Sequence, residues 1–135
     1  MRQKTVVLVV EDEAIIRMGA VQMLEEAGFD VVEADNAHDA VSILERRNDV
    51  CAIFTDINMP GTIDGMRLAR MVRDRWPPIH LIVTSGLTSS NDDRLPPGVK
   101  FIRKPYDPKH VIATLRELLG KVPPSDPLEQ ATKAA

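Results

Sequence analysis

The sequence predicts a doubly wound α/β fold, one parallel sheet of five strands with helices on both faces. Three observations lead there. Apolar, β-branched runs too short for helices alternate with helix-length amphipathic segments. The runs are apolar almost throughout, as strands covered on both faces are. The connections between them are helical crossovers, which in a parallel sheet are right-handed. A chain of 135 residues, 44% hydrophobic and 27% charged, has the composition of one folded domain and not of a disordered segment.

Each element follows in order. Thr5 to Val10 (TVVLVV) is the first strand. After Glu11-Asp12-Glu13, a helix is expected from Ala14 to Ala27, with Ile15, Met18, Val21 and Leu24 at the inward spacing and Gly28 closing it. Phe29 to Ala34 is the second strand. Asp35 or Asn36 caps a helix to about Arg47, whose inner face carries Ala37, Ala40, Val41 and Leu44. Cys51 to Thr55 is the third strand, ending at Asp56. The turn Asn58-Met59-Pro60-Gly61 leads to Asp64, the cap of a helix through Arg75, and Pro77-Pro78 stops it. Ile79 to Val83 and Val99 to Arg103 are the last two strands. Between them, SGLTSSNDDRLPPG offers only Leu87 and Leu95 as anchors, so a short, irregular and mobile fourth helix is expected. Asp107 or its neighbour opens a last helix that ends at Gly120. The domain is thus expected over 4–120, followed by a flexible, Pro-rich tail over 121–135.

Charge and cysteine content narrow the function. Seventeen basic against 20 acidic residues give a net charge of -3, which supplies no long-range attraction to nucleic acid or an anionic membrane. Arg67, Arg70 and Arg73 recur along one helix, but three arginines read as a solvated face. Cys51 stands alone, which excludes an internal disulfide and a cysteine-cage zinc site, and it reads as a small buried hydrophobe. His38, His80 and His110 lie on separate elements without ligand spacing. The N-terminus holds only five consecutive apolar residues, short of a secretory signal, and no run approaches the roughly 18–20 residues of a membrane span. The expectation is a soluble, cytoplasmic protein, monomeric or weakly dimeric.

In an open parallel sheet, ligands bind beyond the carboxyl ends of the strands. There the sequence delivers Glu11 and Asp12 after the first strand, Asp56 after the third, Thr84 with Ser85 after the fourth, and Lys104-Pro105 after the fifth. Three close carboxylates repel by about 4 kcal/mol per pair at an effective dielectric of about 20. They therefore share a proton or recruit a cation, and an all-oxygen set suits a hard ion such as Mg²⁺. An ammonium and a hydroxyl beside such an ion would neutralise a transferring phosphoryl group, with Asp56 as nucleophile. Taken alone, Asp56 could be a strand-end cap, Glu11 a rim acid, Thr84 a partner of a strand-end carbonyl and Phe101 plain core.

The constellation Glu11-Asp12, Asp56, Thr84 and Lys104-Pro105, with the DINMPG turn, resembles the receiver domain of two-component response regulators. The resemblance covers about residues 4–120 and implies the flavodoxin-like strand order 2-1-3-4-5. It further implies that Asp56 accepts phosphate from a phosphohistidine on a sensor histidine kinase or phosphotransfer protein. Asp12 would then ligate Mg²⁺ directly, Glu11 through water and Asn58 through its backbone carbonyl. Lys104 would pair with the phosphoryl oxygens, Thr84 would close onto them, and Phe101 would swing inward with it. The Lys104-Pro105 bond is often cis in such proteins, and the first helix, around Met18 and Met23, meets the phosphohistidine domain. Two departures stand out. Gly61-Thr62-Ile63 makes the loop before Asp64-Gly65 one residue longer than the family pattern, and the stretch from Thr84 to Phe101 is slightly short.

The resemblance points to a stand-alone phosphorylation switch, not a turnover enzyme, that acts through an unknown downstream protein and has no DNA-binding segment. Two alternatives compete with it. An aspartyl-phosphate hydrolase of the haloacid-dehalogenase type needs an Asp two residues after the nucleophile, where this chain has Asn58. The chain could also be a receiver fragment of a larger regulator or hybrid kinase. No G-x-G-x-x-G or G-x-x-x-x-G-K-[ST] run follows the first strand, which removes a nucleotide-binding reading.

Overall fold

A computed structural model describes residues 5–58, 64–86 and 95–120. Its elements run β1 (Val6–Val10), α1 (Ala14–Glu26), β2 (Asp30–Ala34), α2 (Ala37–Arg46), β3 (Val50–Asp56), α3 (Gly65–Arg75), β4 (His80–Ser85), β5 (Val99–Arg103) and α4 (Pro108–Leu119). The five strands form one sheet in the order β2-β1-β3-β4-β5, and every pairing is parallel. The turn residues Met59, Pro60 and Gly61 with the extra loop residue, the short fourth helix expected around Leu87, and the expected tail 121–135 lie outside the described residues.

Two apolar layers hold the sheet between the helices. Val6, Leu8 and Val10 face one way and pack with Ala37, Ala40 and Leu44 of α2 and Leu68, Ala69 and Val72 of α3. Val7 and Val9 face the other way and meet Ala20 and Leu24 of α1 and Val111, Leu115 and Leu118 of α4. This is the alternation of a strand buried on both sides. Three helices start on the side-chain caps that their sequences carry: Asn36 accepts from the Asp39 amide at 2.8 Å, Asp64 from Arg67 at 2.9 Å and Asp107 from Lys109 at 2.9 Å. Gly28, just past α1, takes φ +98°, a conformation an L side chain rarely adopts. The Lys104-Pro105 peptide is cis.

Several sequence expectations are corrected. Ile15 and Met18 point outward, 85% and 65% exposed, while the expected Leu24 is fully buried and Val21 packs on the same layer, joined there by Ala20. Arg73 is not part of a solvated face: it is half-buried and donates to the carbonyl of Ile79, tying α3 to the start of β4. Cys51 is half-buried and donates to the Asp49 carbonyl. β3 and β4 also run further than their apolar stretches. The ladder continues through Asp56↔Thr84, so both residues are strand residues and not the first residues after a strand.

Candidate functional site

Asp56 is the last residue of β3, a central strand, and its side chain is 8% exposed. Both carboxylate oxygens have donors. The amide of Asn58 donates to Oδ1 at 3.0 Å, and Lys104 Nζ donates to Oδ2 at 2.8 Å. The same ammonium lies 3.6 Å from Oε1 of Glu11. β1, β3 and the end of β5 therefore bring Glu11, Asp56 and Lys104 to one corner, as the sequence predicts. Thr84, 2% exposed and paired with Asp56 across β3 and β4, lines the same small cavity as all three.

The other expected residues take separate positions. Asp12 lies exposed on the rim, with its carboxyl beside that of Glu11. Asn58 is exposed, and besides its amide contact to Asp56 it donates from Nδ2 to Ser85 Oγ at 3.0 Å. Phe101 is paired with Val83 on β4 and sits half-buried against the α2–α3 layer. Met23 is partly buried against the α1–α4 layer.

Burial and charge pull against each other here. Glu11 is held above the ordinary carboxylate range, chiefly because burial disfavours its charge. The Asp56 carboxylate adds to the shift, and the Glu13 amide and Lys104 oppose it. Burial pulls Lys104 down, but its hydrogen bond to Asp56 and the charges of Asp56 and Glu11 outweigh that and leave it raised. Three carboxylates against one ammonium leave the corner short of positive charge. Among the described residues no three His, Cys, Asp or Glu side chains converge into a ready metal cage. The donors present, two acids at Asp12 and Asp56 with Glu11 behind and backbone oxygen at Asn58, fit a hard ion such as Mg²⁺ that keeps most of its water.

Three residues had no assigned role in the sequence reading. Arg17 of α1 donates from Nη1 to the carbonyl of Glu11 at 2.8 Å and from Nε to Glu33 of β2 at 3.1 Å. Ser85 accepts from Asn58. Tyr106 packs edge-on to Phe54, ring centroids 5.5 Å apart, and borders the cavity. Burial holds the Tyr106 phenol above its usual value.

Comparison with known proteins identifies the family. The model of the response regulator receiver domain matches residues 7–116. The chain belongs to the response regulator receiver family. Receiver domains are the signalling phosphoacceptors of two-component phosphorelays. This receiver is 37% identical over 119 residues to the sensor kinase CckA of Brucella abortus, covering 85% of the chain and 12% of that protein. It is 36% identical over 121 residues to the hydrogenase transcriptional regulatory protein HoxA of Cupriavidus necator, covering 85% of the chain and 24% of that protein. The receiver thus spans a minor part of both relatives. A response regulator receiver protein from Sinorhizobium medicae superposes with a TM-score of 0.81 at 24% identity over 87% of this chain and 95% of that one, a likeness of fold. No described helix is long and apolar enough to cross a membrane.

Proposed function

We propose that Asp56 is the phosphoacceptor of this receiver and takes a phosphoryl group from the phosphohistidine of a sensor kinase or phosphotransfer protein. The observation that carries the reading is the pairing of Asp56 Oδ2 with Lys104 Nζ at 2.8 Å in a corner that also buries Glu11 and Thr84. A carboxylate oxygen of Asp56 attacks phosphorus and an acyl–phosphate bond forms. The P–N bond breaks and its electron pair returns to the imidazole nitrogen. Lys104 keeps its charge and follows the phosphoryl oxygens, and the amide of Asn58 already points at the other Asp56 oxygen. Asp12, Asp56 and the Asn58 carbonyl would hold Mg²⁺, with Glu11 behind them. When bound, the ion supplies the positive charge this corner lacks.

The acyl phosphate carries up to two negative charges where the Asp56 carboxylate carried one. Thr84, next to Asp56 in the ladder, is placed to donate its hydroxyl to the phosphoryl group, and Phe101 one strand further would move with it. That rearrangement is a shift between two populations, read by a downstream protein. The exposed apolar side chains Ile15, Ile16 and Met18 sit beside the acidic corner, where an incoming phosphohistidine helix would cover them. We place the domain in the cytoplasm, acting as a signalling module without substrate turnover.

Acetyl phosphate with Mg²⁺ should add the mass of one phosphoryl group to the intact chain, measured by mass spectrometry. Asp56→Asn and excess chelator should each abolish the gain. An adduct retained in Asp56→Asn would move the acceptor elsewhere.

A further inference from the structure

We propose that Arg17 is a positioning residue for the phosphorylation site: by holding the backbone carbonyl of Glu11 it sets the direction in which Glu11 and Asp12 present their carboxylates. The proposal rests on the reading of Asp56 given above. The acids sit in the short link between β1 and α1, and that link is secured differently from the others. α2, α3 and α4 each begin on a side chain that caps the helix. α1 begins at Glu13, which makes no side-chain cap bond, and its first turn carries no acid.

Other bonds hold the link in place. The Glu11 amide donates to the Ala34 carbonyl of β2 at 3.1 Å, extending the β1–β2 ladder by one step. The Glu11 carboxylate accepts from the Glu13 amide at 3.1 Å. The Glu11 carbonyl is taken by Nη1 of Arg17 at 2.8 Å. That carbonyl and the Asp12 amide belong to one rigid peptide plane. Fixing the oxygen fixes the Asp12 Cα and the root of its side chain. The same bond fixes the Glu11 backbone, and the Glu13 amide holds one carboxylate oxygen while the other lies 3.6 Å from Lys104 Nζ.

Arg17 makes a second contact, with Glu33, and the two can be told apart. The Glu33 carboxylate is half exposed and its pair with Arg17 is a rim ion pair, screened by water. The bond to the Glu11 carbonyl is part-buried and charge-assisted. Supporting partners of this kind, one step removed from a metal's ligands, change metal affinity by about 10–100-fold when lost.

The experiment uses the full chain with Arg17→Met, Arg17→Lys and Glu33→Gln. Mg²⁺ binding is measured by calorimetric titration with the metal alone, phosphoryl gain by intact mass, and the thermal midpoint without metal. Arg17→Met should weaken Mg²⁺ binding by about ten-fold or more, slow phosphoryl gain in step and leave the metal-free midpoint near wild type. Arg17→Lys, which still offers a donor, should recover part of the affinity. Glu33→Gln should stay within about two-fold of wild type. Unchanged Mg²⁺ affinity in Arg17→Met overturns the proposal. Equal losses in Arg17→Met and Glu33→Gln also overturn it, because the ion pair would then be the active contact. If Arg17→Met fails to fold, Arg17→Lys decides, and an affinity loss there no larger than in Glu33→Gln counts against the proposal. A wild-type chain that binds no Mg²⁺ and gains no phosphoryl group overturns the reading of the site itself, and this inference with it.

Discussion

Glu11 shows what the site costs the fold. Its carboxyl is 5% exposed, and burial raises it above the ordinary carboxylate value of 4.5. The fold therefore prefers the protonated acid more than the unfolded chain does. That preference stabilises fully below the ordinary value and is lost as pH rises through the folded one, so at neutral pH the ionised Glu11 is a liability. Lys104 is also raised, so its contribution holds below its ordinary value of 10.5 and fades only as pH rises past its folded value. Neutral pH leaves the lysine satisfied and the acid strained. Glu11→Gln keeps the shape and an acceptor for the Glu13 amide but cannot ionise. It should melt higher than wild type near pH 7, with the gap closing toward pH 4, while Mg²⁺ binding weakens. A gap that is constant with pH, or of opposite sign, would show that Lys104 already compensates Glu11 fully. A stability gain bought with lost function is the usual mark of a strained site.

At the scale of elements, α3 begins against the backbone of Asp56 and Ile57. Gly65, its first residue, is buried, and its amide donates to the Ile57 carbonyl at 3.0 Å. A Cβ there would overlap the carbonyl oxygen of Asp56 and stand 2.6 Å from Ile57 Cα, both main-chain atoms that cannot turn aside. Alanine gains about 1 kcal/mol of helix propensity over glycine, but overpacking against backbone costs about 1–3 kcal/mol or more. The clash wins: Gly65→Ala should lose about 2 kcal/mol in urea unfolding and also slow phosphoryl gain, because Asp56 must move. Wild-type stability would mean that α3 can back away. The Asp64-Gly65 pair was legible as a helix start, but the reason for the glycine was not, since the neighbour it accommodates lies across a loop. The same limit explains the other gaps. β1 and β3 are legible because apolar runs covered on both faces leave few alternatives, and the capped helices announce themselves at Asp64 and, to within one residue, at Asn36 and Asp107. Ile15 and Met18 fit a helical stripe, but periodicity does not reveal which apolar side chains a neighbouring element covers. Asp56, Glu11 and Lys104 are legible because fold class alone sends strand ends to one edge. Arg17, Ser85 and Tyr106 act through Glu11, Asn58 and Phe54, which lie 6, 27 and 52 positions away, and no local pattern marks them.

For the whole molecule, the sheet both divides and joins its two apolar layers. Leu8 is fully buried in the layer shared with α2 and α3, and Leu115 is 1% exposed in the layer shared with α1 and α4. The layers share no side chains, but every strand that lines one also lines the other, so neither can open without breaking the same ladders. Truncating either leucine to alanine should cost about 2–5 kcal/mol. Because the two sites lie on opposite faces without shared partners, the double variant should show the sum of the single losses to within about 0.5 kcal/mol. The ladders should still keep unfolding to one cooperative transition, seen as the same urea midpoint by circular dichroism and by the fluorescence of Trp76, the sole tryptophan, which packs on the α2–α3 side. Separate midpoints in Leu115→Ala would mean that the α1–α4 layer opens on its own. In that case a phosphoryl signal at Asp56 could reach one face of the sheet without disturbing the other. A single midpoint with additive losses would mean that the two layers contribute independently to stability while the shared ladders make them unfold as one unit.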